Sequence, residues 1–171
     1  MKILEWIKKK IVRLYLKIVR EKASPEYIAR GWAIGMCCGC LIPFGLQLVF
    51  SLPAAFILKG SKIGASLGTF ITNHFTIFII YPCQCFVGAK ILGHPLTYDE
   101  ITAALKGVLK EESIESLMAL GRELLASFFV GGFLLTIVMT PLTYFLVKKM
   151  VMGHRRRVLR KQRIREVVDK R

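Results

Sequence analysis

Residues 31–58 read GWAIGMCCGCLIPFGLQLVFSLPAAFIL, 28 positions without a formal charge, with Pro43-Phe44-Gly45-Leu46-Gln47 near their centre. A helix crosses the hydrocarbon core of a bilayer with about 20 apolar residues, so this stretch is long enough to enter a membrane. It is not a plain span. Proline removes a backbone donor and clashes with the preceding turn, while glycine admits conformations other residues avoid, so the helix is expected to stop or kink here. Backbone that leaves the helix at membrane depth persists only where protein or a water-filled cavity satisfies it, and such breaks often mark ion or substrate sites.

Working outward, residues 63–89 form a second charge-free run, interrupted at Thr72-Asn73-His74, and residues 124–147 form a third that holds only Pro141. Gly31, Gly35, Gly39, Ile42 and Pro53 recur 29 positions later as Gly60, Gly64, Gly68, Ile71 and Pro82. Glycines four residues apart let a second helix backbone approach closely, so these six are read as helix-packing positions. The echo is either a duplication or a coincidence of a glycine-rich chain. A duplication would set the two breaks opposite each other, as in transporters built from paired broken helices.

The formal charge of +15 is concentrated at the ends, with eight basic residues in 2–22 and eleven in 148–171. Ile3, Ile7, Ile11, Leu14 and Ile18 recur every three or four positions, with Lys9, Arg13 and Lys17 on another face. Residues 1–23 therefore read as a basic amphipathic helix, lying in the headgroup plane or packed on the protein's own cytoplasmic side. Residues 148–171, with Arg155, Arg156 and Arg157, read as a basic cytoplasmic tail. Because membrane segments adjoin both arms, anionic lipid headgroups are the expected partner rather than nucleic acid, at about 1 kcal/mol per basic residue near the surface.

Ser24-Pro25-Glu26 supplies an N-cap, a first-turn proline and a first-turn acid, so a helix is expected to begin there. Residues 94–123 carry six acids and read as an extramembrane acidic amphipathic loop, with Thr97 and Glu100 spaced as a capping box and Ile101 on an apolar face. Two basic cytoplasmic ends require an even number of crossings, yet there are three charge-free runs. One of the two broken segments is therefore expected to be re-entrant, and the sequence does not say which. The expected architecture is an all-α integral membrane bundle, residues 24–147, with two broken segments (31–58 and 63–89) and a plain C-terminal transmembrane helix (124–147). It would be multi-pass in the inner membrane, with both termini cytoplasmic and glycine faces suited to a homo-oligomer.

Gln47, Thr72, Asn73, His74 and Thr76, with Pro43 and Gly45, form the candidate polar centre. An unpartnered amide in hydrocarbon costs several kcal/mol, so these groups either cap the freed backbone or hold water and a ligand. His74 reads as a proton relay or, more simply, as a histidine satisfied by a carbonyl. Cys37, Cys38, Cys40, Cys83 and Cys85 match neither usual zinc spacing and are small apolar residues at home in a core. There is no phosphate loop, nucleophile elbow or carboxylate pair, so no catalytic residue, metal or cofactor is expected, and the chain does not read as an enzyme.

The series Ser24-Pro25-Glu26, Ile28-Ala29-Arg30-Gly31, Gly35, Gly39, Pro43 to Gln47, and Gly68-Thr69 through Asn73 to Thr76 resembles an uncharacterised bacterial membrane family, domain of unknown function 2062, over roughly Ser24 to Val147. The resemblance implies a small inner-membrane protein, and a domain that some members carry fused to a cytosolic glycosyltransferase. It implies no catalytic residue. The chain departs from the family habit with His74 where proline often follows the asparagine, and with Gln47 where histidine is frequent near the first break. Two functions follow as expectations: moving or handling a lipid-linked or small polar molecule at the paired breaks, or anchoring an envelope-synthesis enzyme as a non-catalytic partner module.

Overall fold

The computed structural model describes residues 21, 23–70, 76–93, 97–103 and 122–169, and these are helical and connecting segments without strands. Helix α1, Pro25–Leu41, opens where expected: the Ser24 hydroxyl accepts the Tyr27 N–H at 3.1 Å and Pro25 occupies the first turn. It ends two residues before Pro43, and Gly45 takes a φ of +96° that reverses the chain. Helix α2, Gln47–Ile57, then runs back beside α1. The Ser61 N–H donates to the Tyr27 carbonyl at 3.0 Å, and Arg30 Nη1 donates to the Leu58 carbonyl at 3.0 Å. The first broken run is thus a helical hairpin whose two ends lie side by side.

Helix α3, Lys62–Thr69, starts from Ser61, whose hydroxyl accepts the Gly64 N–H at 2.9 Å. It packs parallel to α1 at backbone contact. A Cβ at Gly31 would run into the Ser61 backbone, one at Gly35 into the Ala65 carbonyl and the Gly68 Cα, and one at Gly68 would stand 2.7 Å from the Trp32 carbonyl. Gly60 faces Gly31, and Gly64 faces Trp32. Gly31 and Gly35 therefore pack against the run that holds Gly60, Gly64 and Gly68, and close backbone approach replaces the side-chain interdigitation of an ordinary helix pair.

Helix α4, Ile77–Leu92, follows the second break and closes on Gly93, whose φ of 73° is the left-handed geometry of a glycine cap. Helix α5, Arg122–Asp169, is 48 residues without interruption, so the helix does not stop at Val147 but carries through Pro141 and the basic tail. Lys148 Nζ meets Glu26 Oε1 at 3.1 Å, while Gly132 lies against the Cys40 carbonyl, so α5 runs antiparallel to α1. Gly88 on α4 meets the Ser127 carbonyl, about 31 Å along α5 from Lys148 at 1.5 Å per residue. Unlike the first run, the second therefore continues away from the Glu26 end and does not fold back.

Buried apolar clusters join the layers: Ile28, Ala29 and Trp32 with Val147 and Val151 near the Glu26 end, and Ile77, Tyr81 and Cys85 with Leu124, Phe128 and Ile101 near the other. Ile101 sits in a helical turn that starts with a reciprocal cap, the Thr97 N–H donating to Glu100 Oε2 at 2.8 Å and the Glu100 N–H to Thr97 Oγ1 at 3.4 Å. The outer faces are strongly apolar, with Phe50, Phe56 and Ile57 on α2, Ile79 and Val87 on α4, and Phe133, Ile137, Val138 and Phe145 on α5 all exposed. α5 holds one stretch long and apolar enough to cross a membrane, and α2 and α4 are shorter apolar helices.

Candidate functional site

The polar centre is built on the broken end of α1. In a helix the Gly39 carbonyl would accept from the N–H of residue 43, but Pro43 has none. Gln47 Nε2 takes that place, 3.2 Å from the Gly39 carbonyl and 3.0 Å from the Ile42 carbonyl. The Cys40 carbonyl, whose helix donor would lie beyond the proline, is met by Gln84 Nε2 from α4 at 3.0 Å. That same nitrogen donates to the Phe128 carbonyl of α5 at 2.9 Å. Two buried glutamines, each 4% exposed, thus supply donors the chain lost by leaving the helix, and one of them pins α1, α4 and α5 together.

Tyr81 completes the junction. Its hydroxyl lies 3.3 Å from Gln47 Nε2 and donates towards the Ile42 carbonyl at 3.5 Å, while its ring packs edge-on against Phe128 at 4.9 Å between centroids. The start of α4 therefore touches the tip of the first hairpin. Thr76 opens α4, its carbonyl accepting the Ile80 N–H at 2.8 Å. Gly45 lies at the outside of the turn, with open space where a side chain would be. Thr72, Asn73 and His74 lie outside the described residues.

Sequence reasoning missed Gln84 and Tyr81. Gln84 stands between Cys83, which is exposed, and Cys85, which is buried in the apolar cluster beside Tyr81. Gly88, Gly131 and Gly132, which seat α4 and α1 against α5, were missed as well because they show no four-residue period. Among the described residues, no group of three or more histidine, cysteine or acidic side chains is assembled.

The Glu26 end carries the charge. The Glu26 carboxyl is held below the usual carboxylate range, first by its own backbone N–H at the helix start and then by Lys148, whose ammonium is in turn pushed up by Glu26. Arg155 donates to the Glu21 carbonyl at 3.1 Å and to the Ala23 carbonyl, so it ties the approach to α1 onto α5. Arg156 and Arg157 are exposed. Lys9, Arg13 and Lys17 lie outside the described residues.

Among the described residues the secondary structure is helical, with one apolar helix of membrane length and a polar junction where the tip of a helical hairpin meets the start of α4. The chain matches the model of a family described as an uncharacterized protein conserved in bacteria, DUF2062, over residues 8–160, and it belongs to that family. The match reaches beyond the resemblance read from the sequence at both ends. No curated protein and no solved structure matches the chain.

Proposed function

We propose that this is a small multi-pass inner-membrane protein that handles a lipid-linked or small polar molecule where its two broken segments meet. On this reading the α1–α2 hairpin is re-entrant and enters and leaves by one face, while the second broken segment and α5 each cross. Both ends of the described chain then lie on the cytoplasmic side. Arg30, Lys59, Lys62, Lys148 and Lys149 fall at that end, against Lys90 and Arg122 at the other, and this excess of Lys and Arg is what a cytoplasmic surface carries. The exposed apolar residues on three helices suit a lipid belt rather than a water-facing surface.

The observation that carries the proposal is the junction of Tyr81 with Gln47 and the Ile42 carbonyl, which joins a non-helical tip to the start of α4. Irregular backbone in a bilayer is where transported groups are bound in other membrane folds. Basic residues at the Glu26 end, the opposite end of α1 from this junction, would attract an anionic headgroup to the cytoplasmic entrance. Reconstituted liposomes loaded with candidate polyprenyl phosphates or small polar solutes test it: movement above empty vesicles is expected, and flat traces across the set would count against it.

A second reading, a non-catalytic anchor for an envelope-synthesis enzyme, is favoured by a different observation. Gln47 is engaged in capping α1, and α5 continues through the basic tail to Asp169, beyond the apolar stretch. Purification in mild detergent would then recover a stoichiometric partner, and recovery of the chain alone would sink this version.

A further inference from the structure

We propose that the seam between α1 and α5 holds a short file of water molecules running from Gln84 past Thr136 to Thr140 and Cys37. Gln84 is 4% exposed, and its Nε2 is fixed by the Cys40 and Phe128 carbonyls, which settles which end of the amide is oxygen. Among the described residues Oε1 has no hydrogen-bond partner. The amide lies against Gly132 of α5. Thr136 and Thr140 follow on the same face at one-turn intervals, and each hydroxyl is buried without a hydrogen-bond partner among the described residues. The Cys37 thiol of α1 lies beside Thr140, short of hydrogen-bond geometry.

Helical hydroxyls ordinarily escape this state by donating to a carbonyl three or four residues back. Ser66, Thr69, Thr102 and Ser127 all do so here, at 2.7 to 3.0 Å. Thr136 and Thr140 do not, so their hydroxyls are directed elsewhere. Gln84 Oε1 and the two hydroxyls thus set donors and acceptors over two helical turns, about 12 Å, a length that a few waters at hydrogen-bond spacing would bridge. Buried water is what typically satisfies such groups, at about three bonds per molecule. Ser51 on α2 is also unpartnered, but it stands alone on a different helix.

The inference concerns the packing of α1 on α5 and does not depend on the chain handling a substrate. Hydroxyl-radical footprinting of the full-length native protein in lipid nanodiscs tests it with internal controls, since radicals form where water is. Cys83 is exposed on an apolar outer helix and Cys85 is buried in an apolar cluster. Cys37 is expected to oxidise several-fold faster than either, and Thr140→Val should bring its rate down towards that of Cys85. A wild-type Cys37 rate no higher than those of Cys83 and Cys85 overturns the proposal without any variant, and so does a fast Cys37 rate that folded Thr140→Val leaves unchanged.

Discussion

The two glycine-bearing segments begin alike and end differently. Both start with a helix whose glycines press against the other segment, the first helix running 17 residues to Leu41 and the second 8 residues to Thr69. The first then turns back into α2, whereas the second goes on into α4 and away from the Glu26 end. The turn-forming residues differ in a way the 29-residue offset makes plain: Pro43 and Gly45 fall on Thr72 and His74. Only the first break has a proline to end the helix and a glycine to adopt a positive φ. A shared packing face fixes how the segments associate, and the break residues fix where each chain goes next.

The shared face should be the more fragile part. Gly35→Leu would drive a side chain into the Ala65 carbonyl and the Gly68 Cα, backbone that cannot yield, so a loss of about 3 kcal/mol or more is expected. Gly153→Leu, where nothing lies nearby, should fold normally; equal thermal melts of the two variants in detergent would refute the packing account. Next comes the cap of the first break. Gln47→Leu leaves the Gly39 and Ile42 carbonyls short of a donor, at a cost of about 1–3 kcal/mol, and a denaturant series should show it.

Gly45→Ala forces a side chain into the left-handed region and should cost about 1–2 kcal/mol. His74→Ala, at the equivalent place in the second segment, tests whether the comparison is right: an equal loss there would mean that the breaks are built alike. The smallest effect belongs to the Glu26 and Lys148 pair. Glu26 contributes above the ordinary carboxylate range and loses its contribution as pH falls through its lowered value. Lys148 contributes below the ordinary ammonium range and loses it as pH rises through its raised value. A slight fall in Tm at the acid limb is expected, and Glu26→Gln should flatten it.

Local chemistry was legible in the sequence. Ser24 with Pro25, the Thr97 and Glu100 cap, and the stop at Pro43 depend on residues within one turn, and each is visible in the letters. The glycine spacing announced close packing but could not name Ser61, Ala65 and Gly68 as what Gly31 and Gly35 would meet. Gln84 was illegible because its role is defined by the Cys40 carbonyl, 44 residues away, and by a missing donor there. The continuation of α5 was missed for another reason: Lys and Arg change the polarity of a helix without ending it, since both are good helix formers.

The account rests on one segment returning and the other crossing, and single cysteines at positions 59, 99 and 156, in a variant lacking the five native cysteines, test this most directly. With a membrane-impermeant thiol reagent applied from each side, Lys59→Cys and Arg156→Cys should label from the cytoplasmic face and Asp99→Cys from the opposite one. If positions 59 and 99 label from the same face while 156 labels from the other, the hairpin crosses the membrane and the account is contradicted.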